Sequence, residues 1–121
     1  MTRIRSRAFD FIGINGRLEA FGRKHMMAQK TIRNLQVVFE ELCVQILLPR
    51  LPKEPLMSIL IEYSEETGEA RMRVRYNGGT FDPTVSGDEL SMALVRHATE
   101  EVRYRSIAEG EAGNEVSLRI E

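Results

Sequence analysis

The sequence has few or none of the features that mark several large protein classes. A single cysteine, Cys43, excludes an internal disulfide and a zinc site built from several cysteines. The longest apolar stretches, such as Ile46–Leu48, are far shorter than the roughly 20 residues of a membrane span. No Gly-Lys-Ser or Gly-Lys-Thr occurs, so a Walker-type phosphate loop is excluded. A net charge of −1 gives no bulk electrostatic case for nucleic acid or membrane as a partner. Because the chain has a single cysteine, we expect a protein of the reducing cytoplasm.

What is present has the balance of a folded domain. The chain has 121 residues, of which 42% are hydrophobic and 29% charged. That length allows one modest hydrophobic core. We therefore expect a single domain over residues 1–121, either complete or part of a longer protein.

The first third of the chain predicts a strand followed by helices. Phe9, Phe11 and Ile12 favour a strand between about residues 7 and 14, and Asn15-Gly16 favours a turn after it. A short helix should then end near Met26 or Met27. A longer helix follows, because five apolar residues recur every three or four positions and Pro49 stops the pattern. These residues are Ile32, Leu35, Phe39, Leu42 and Ile46.

The middle of the chain predicts a β-hairpin with one buried and one exposed face. Apolar residues alternate with polar ones over 57–64 and again over 70–76, on either side of a turn at 65–68. Arg71, Arg73 and Arg75 occupy every outward position of the second strand. They form either a solvated face or a surface that binds an acidic partner.

The remainder predicts one more helix and one more hairpin. Ser86 and Glu89 form a capping-box pattern, so a helix should run from there to about Thr99 and bury Leu90 and Leu94. Strands over 102–105 and 116–120 follow, joined by a glycine-containing turn over 109–114. The fold class is α+β: a two-layer sandwich of a mostly antiparallel sheet with helices on one face.

Two groups of residues could carry chemistry. Glu41 and Gln45 lie one α-helical turn apart, either as a polar helix flank or as a carboxylate that activates water beside a weak Mg²⁺ ligand. Gly78 and Gly79 follow the second hairpin strand and, with Asn77, form either a tight turn or a close backbone approach to a ligand.

These motifs, in this order, resemble the histidine-kinase-like ATPase (GHKL) superfamily, and most closely its small anti-sigma-factor serine kinases. Four stretches over about residues 9–120 carry the resemblance. They are Val37–Gln45, Arg75–Pro83, Gly87–Val95, and the terminal hairpin of 101–104 with 113–118. The resemblance implies ATP and Mg²⁺ as ligands and Glu41 as the catalytic base. It places Gln45 at the metal-binding position and Tyr76, Asn77, Gly78, Gly79 and Phe81 in the nucleotide site.

The chain departs from the family pattern at three of these places. Tyr76 replaces the Asp that receives the adenine amino group, which should cost about 1–3 kcal/mol of binding energy. Gln45 replaces an Asn that binds Mg²⁺. Glu89 and Ser91 stand near glycine positions of the phosphate-binding turn. The departures predict weak or no ATP binding.

Three functions stay open on these grounds. The first is a regulatory protein-interaction module with a degenerate ATPase fold. By analogy its partner is a sigma-factor-like protein, an anti-anti-sigma-like protein or a fused domain, and it could form a homodimer. The second is an active anti-sigma-type serine/threonine kinase, in which Asn77 takes over the reading of adenine. The third is a groove re-used for another small ligand that stacks on Tyr76.

Overall fold

The computed structural model describes residues 2–7, 11–107 and 112–121, with side chains from residue 13 onward in those ranges. Within these residues the α-helices are α1 (Phe11–Lys24), α2 (Gln29–Val38), α3 (Pro83–Ser86) and α4 (Glu89–His97). Directly after α2 the chain continues as a π-helical segment, Phe39–Leu47, and a 3₁₀ turn, Leu48–Arg50. The strands are β1 (Thr2–Arg7), β2 (Met57–Ser64), β3 (Glu69–Tyr76), β4 (Thr99–Ser106) and β5 (Asn114–Ile120).

The described strands form one antiparallel sheet of five strands in the order β1-β2-β3-β5-β4. β5 lies between β3 and β4, and its Val116 is opposite Val74 on one side and Tyr104 on the other. The predicted α+β class with an antiparallel sheet is therefore confirmed. Both predicted hairpins are present as the pairs β2–β3 and β4–β5.

One face of the sheet packs against the helices and forms the core. The alternating residues Met57, Ile59, Ile61, Ala70, Met72 and Val74 are all buried. They share one apolar cluster with the buried helical residues, including all five that the spacing of the long helix assigns to one face. The alternation in the hairpin was thus sufficient to predict which side of β2 and β3 is inside.

The predicted strand near residues 7–14 is wrong in its position. β1 ends at Arg7, and Phe11 begins α1, which continues through the predicted turn at Asn15-Gly16. The helix forms because Ile14 and Leu18 lie four residues apart and share its buried face. A short apolar run does not by itself distinguish a strand from a helix. Residues 8–10 of the predicted strand and 109–111 of the predicted turn lie outside the described residues.

The helix after residue 86 also differs from its prediction. α4 begins at Glu89, and its cap is Asp88, whose Oδ1 accepts a 2.9 Å hydrogen bond from the Ser91 amide. The apolar contact is made by Met92 and Val95, which are 2% and 0% exposed. The two leucines expected to be buried, Leu90 and Leu94, are instead exposed. The core therefore uses a different face of this helix from the one that its leucines indicate.

None of the helices in the described part of the chain is both long enough and apolar enough to cross a membrane.

Candidate functional site

A groove of about 320 Å³ lies beside the end of β3, where the hairpin strand meets the 3₁₀ turn. One wall comes from the end of the π-helical segment and the residues after it, and the other from the loop that follows β3. The lining residues are Leu47, Pro49, Arg50, Leu51, Tyr76, Asn77, Gly78, Thr80 and Phe81. The groove thus contains part of the glycine turn that the sequence indicates, together with a wall of residues 47–51 that it does not.

Tyr76 is the inward residue at the end of β3 and lies at the base of the groove. Its side chain is 2% exposed, and its hydroxyl donates a 2.6 Å hydrogen bond to the carbonyl oxygen of Phe81. Burial raises the pKa of the Tyr76 hydroxyl, so this group stays protonated as a donor. Tyr76 thus forms part of the lining of the groove.

The side chain of Asn77 is hydrogen-bonded to the segment that precedes β2. Its Oδ1 accepts from the Leu56 amide at 2.9 Å, its Nδ2 donates to the Glu54 carbonyl at 2.9 Å, and its own amide donates to the Leu56 carbonyl. All these bonds lie within the chain. Asn77 is therefore a structural clamp on the segment before β2.

The following glycine is required by both space and conformation. Gly78 has φ +105°, and a Cβ there would lie 3.1 Å from Cδ of Pro52. A larger residue would be strained at that φ and would press against Pro52. The glycine is therefore explained by the approach of two loops.

Asn114, the first residue of β5, holds the other side of the loop. Its Nδ2 donates to the carbonyl oxygens of Tyr76 and Gly79, at 3.2 and 2.8 Å. Its Oδ1 accepts from the Phe81 amide at 3.1 Å and from the Tyr104 hydroxyl at 2.6 Å. Asn114 is 1% exposed. Its buried amide thus connects the loop after β3 to strands β4 and β5.

Arg50 supplies the charge at the mouth of the groove. Its guanidinium carbon lies 3.9 Å from the centre of the Phe81 ring, a cation–π contact. Because Phe81 is held at its amide by Asn114 and at its carbonyl by Tyr76, the aromatic face under Arg50 is fixed.

Glu41 and Gln45 lie on the π-helical segment, away from the lining of the groove. Gln45 donates from Nε2 to Oε1 of Glu40 at 3.1 Å, a spacing of five residues. The Leu48 amide likewise bonds to the Cys43 carbonyl five residues back, which is the π-helical pattern. Glu41 accepts instead from the hydroxyl of Ser91 on α4, at 3.3 Å. The two side chains that α-helical spacing places together thus have separate partners.

The turn before α4 is closed by the protein itself. A Cβ on Gly87 would lie 2.5 Å from the carbonyl oxygen of Pro83, so this glycine is needed for close backbone packing. The carboxylate of Asp88 occupies the N-terminal end of α4 through its bond to the Ser91 amide. An anion at this helix end would meet a carboxylate that is already in place.

The predicted site residues are therefore only partly brought together. Tyr76, Asn77, Gly78 and Phe81 line the groove. Gly79 contributes its carbonyl to Asn114 and is absent from the lining, as are Glu41 and Gln45. The sequence reading did not identify Arg50 or Asn114 as site residues. No local sequence pattern indicates Arg50. The contacts of Asn114 with the loop after β3 join residues that are more than thirty positions apart in the sequence.

Within the described residues, no group of three or more His, Cys, Asp or Glu side chains could hold a metal ion. The role of Gln45 as a Mg²⁺ ligand stays a prediction. The amide nitrogen of Gln45 donates to Glu40, so this pair is already hydrogen-bonded. Cys43, on the same segment, is fully buried, and burial raises the pKa of its thiol, which keeps it protonated and unreactive.

No protein-family model matches the chain, and no curated protein matches it at a significant level. A function for the chain therefore rests on its own residues.

Proposed function

We propose that the chain is a degenerate histidine-kinase-like ATPase domain that binds ATP weakly or not at all and acts in the cytoplasm as a protein-interaction module. Its fold, with helices on one face of an antiparallel sheet, is compatible with that superfamily. The observation that carries the proposal is the Tyr76 side chain, which is buried and hydrogen-bonded to the Phe81 carbonyl.

Tyr76 acts against adenine in two ways. The position where the family has a carboxylate acceptor holds a hydroxyl that already donates within the chain. An adenine amino group would need an acceptor there, and an unsatisfied buried donor costs about 1–3 kcal/mol. The aromatic ring also fills volume that a purine would need.

The other positions implied by the resemblance are occupied by internal contacts too. Glu41 is bonded to Ser91, and Gln45 to Glu40. The end of α4, where phosphates would meet backbone amides, is capped by Asp88. These contacts compete with a nucleotide for the same side chains and helix end.

An interaction module needs a protein partner. The resemblance suggests a sigma-factor-like protein, an anti-anti-sigma-like protein or a fused domain, and it allows a homodimer. These partners follow from the family analogy alone.

The test is titration calorimetry with ATP and Mg²⁺ on the unmodified chain, Tyr76→Asp and Tyr76→Ala. We expect no saturable heat from the unmodified chain up to millimolar nucleotide. Tyr76→Asp should gain binding, and Tyr76→Ala, which removes the ring without adding an acceptor, should gain less. Circular dichroism establishes that each variant is folded. Micromolar binding of ATP by the unmodified chain would overturn the proposal.

A further inference from the structure

The face of the sheet turned away from the helices carries an ordered array of arginines. We call it the open face. Across the strands its residues form three rows: Arg75, Glu115 and Arg105; then Arg73, Ser117 and Arg103; then Arg71, Arg119 and Glu101. The backbone register also aligns Arg3, Arg5 and Arg7 of β1 with Glu62, Leu60 and Ser58 of this face, respectively.

In the first row a buried carboxylate, Glu115, orients the two arginines beside it. Glu115 is 2% exposed, and its two oxygens accept from Nε of Arg75 at 2.7 Å and Nε of Arg105 at 2.8 Å. The side chains of Arg75 and Arg105 remain 46% and 65% exposed. Their orientation is therefore fixed before any partner arrives, which lowers the entropic cost of binding.

The second row contains no carboxylate, so its two arginines depend on acidic residues of the neighbouring rows. Arg73 and Arg103 flank Ser117, and Nε of Arg103 lies 2.8 Å from Glu101 of its own strand. Arg73 lies 3.9 Å from both Glu62 and Glu115, at the outer limit of an ion pair. In the third row Arg71 is directly opposite Arg119, and carboxylates lie beside both: Glu69 is 3.0 Å from Arg71 and Glu100 is 3.1 Å from Arg119. Among the described arginines of the open face, Arg73 therefore has the longest ion-pair distances.

The residue type points to a protein partner. The lysines of the chain are Lys24, Lys30 and Lys53, all outside the sheet, so the cations of the open face are arginines. Arginine is enriched and lysine depleted in protein–protein interfaces, and its planar fork matches a carboxylate with two hydrogen bonds. No aromatic side chain for base stacking lies among the described residues of the open face.

We propose, building on the interaction role above, that the open face binds a carboxylate-rich surface of another protein. The central contacts come from Arg73 and Arg103, with Arg75 and Arg105 as oriented neighbours. Binding of this kind is weakened by salt, because the guanidinium groups are partly exposed to solvent.

The experiment measures binding of fluorescent poly-L-glutamate to the purified chain by anisotropy at low and at physiological salt. The test variant is Arg73→Gln with Arg103→Gln. The matched control is Arg23→Gln with Arg33→Gln, which removes the same charge from helices α1 and α2. We expect saturable binding that falls with salt, drops about fivefold or more in the test variant, and changes little in the control.

Several results would overturn the proposal. These are no binding at low salt, an equal loss in the control, or binding of duplex DNA as tight as that of poly-L-glutamate. Calorimetry with ATP separates this proposal from the proposed function. Nucleotide binding by the unmodified chain would remove the degenerate-ATPase role and leave the surface intact, whereas loss of poly-L-glutamate binding alone would remove only the surface.

Discussion

The hydroxyl of Tyr76 donates a 2.6 Å hydrogen bond to the carbonyl oxygen of Phe81, five residues further along the chain. This contact closes the loop after β3 upon itself. It connects a core residue of the sheet to the aromatic ring that lies under Arg50. The hydrogen bond therefore joins the groove wall at Phe81 to the buried face of the sheet at Tyr76.

Replacement of Tyr76 by Phe tests this link. The variant keeps the ring and leaves the Phe81 carbonyl without its donor, so we expect a loss of about 1–2 kcal/mol in the free energy of unfolding. Urea denaturation followed by circular dichroism measures it. A variant as stable as the unmodified chain would show that water replaces the hydroxyl without cost.

Asn114 should be among the most sensitive polar positions. Asn114→Ala removes four side-chain hydrogen bonds and leaves buried backbone groups unpaired, which we expect to cost about 3 kcal/mol or more. Asn34→Ala is the matched control, because its side chain donates one exposed bond to the Glu121 carbonyl. The control should lose well under about 1 kcal/mol. Comparable losses in the two variants would contradict the role of Asn114.

Glu115 should make stability depend on acid pH. Burial opposes its ionisation, but the hydrogen bonds and charges of Arg105 and Arg75 outweigh burial, and the pKa of the carboxyl is lowered. A lowered pKa in the folded state stabilises the fold above the unfolded pKa of about 4.3. That stability is lost as the pH falls through the folded value.

The measurement compares the unmodified chain with Glu115→Gln by urea denaturation from pH 7 down to about pH 3. At neutral pH the variant should be less stable by about 1–3 kcal/mol. The difference should shrink below about pH 4, because the wild-type carboxyl then takes up a proton too. A difference that stays constant over the whole range would exclude the ion cluster as its source.

The cap of α4 gives a paired comparison. Asp88→Ala removes the acceptor for the Ser91 amide and should cost about 1 kcal/mol. Ser86→Ala changes the residue that the sequence indicates as the cap and should be nearly neutral, because Ser86 ends α3 instead. Thermal unfolding of both variants decides between the two positions.

The fold could be predicted where periodicity was long and regular. Alternation over β2 and β3 determined their buried side, and the stripe from Ile32 to Ile46 determined the core face of the long helix. Prediction failed where a short pattern allowed two structures. Phe11 and Ile14 fit a strand locally, but they lie in α1 because Leu18 extends the same apolar face.

The site could be predicted only as far as it is local. The run from Tyr76 to Phe81 is contiguous, so the sequence located most of one wall. The contacts of Asn114 and Glu115 depend on which strands are neighbours and in what register, which no local pattern contains. The partner of Gln45 was also not predictable from local spacing. In the π-helical segment its amide donates to Glu40, five residues back, whereas α-helical spacing places it beside Glu41.

The place of β5 in the sheet has a consequence for the chain as it leaves the ribosome. The β2–β3 hairpin can form early, but the second edge of β3 stays open until residues 114–120 have been made. During that interval an unpaired strand edge is exposed. Arg71, Arg73 and Arg75 occupy alternate positions along this edge, and charge there discourages pairing between molecules. The same arginines would thus protect the unfinished protein before they serve the finished one.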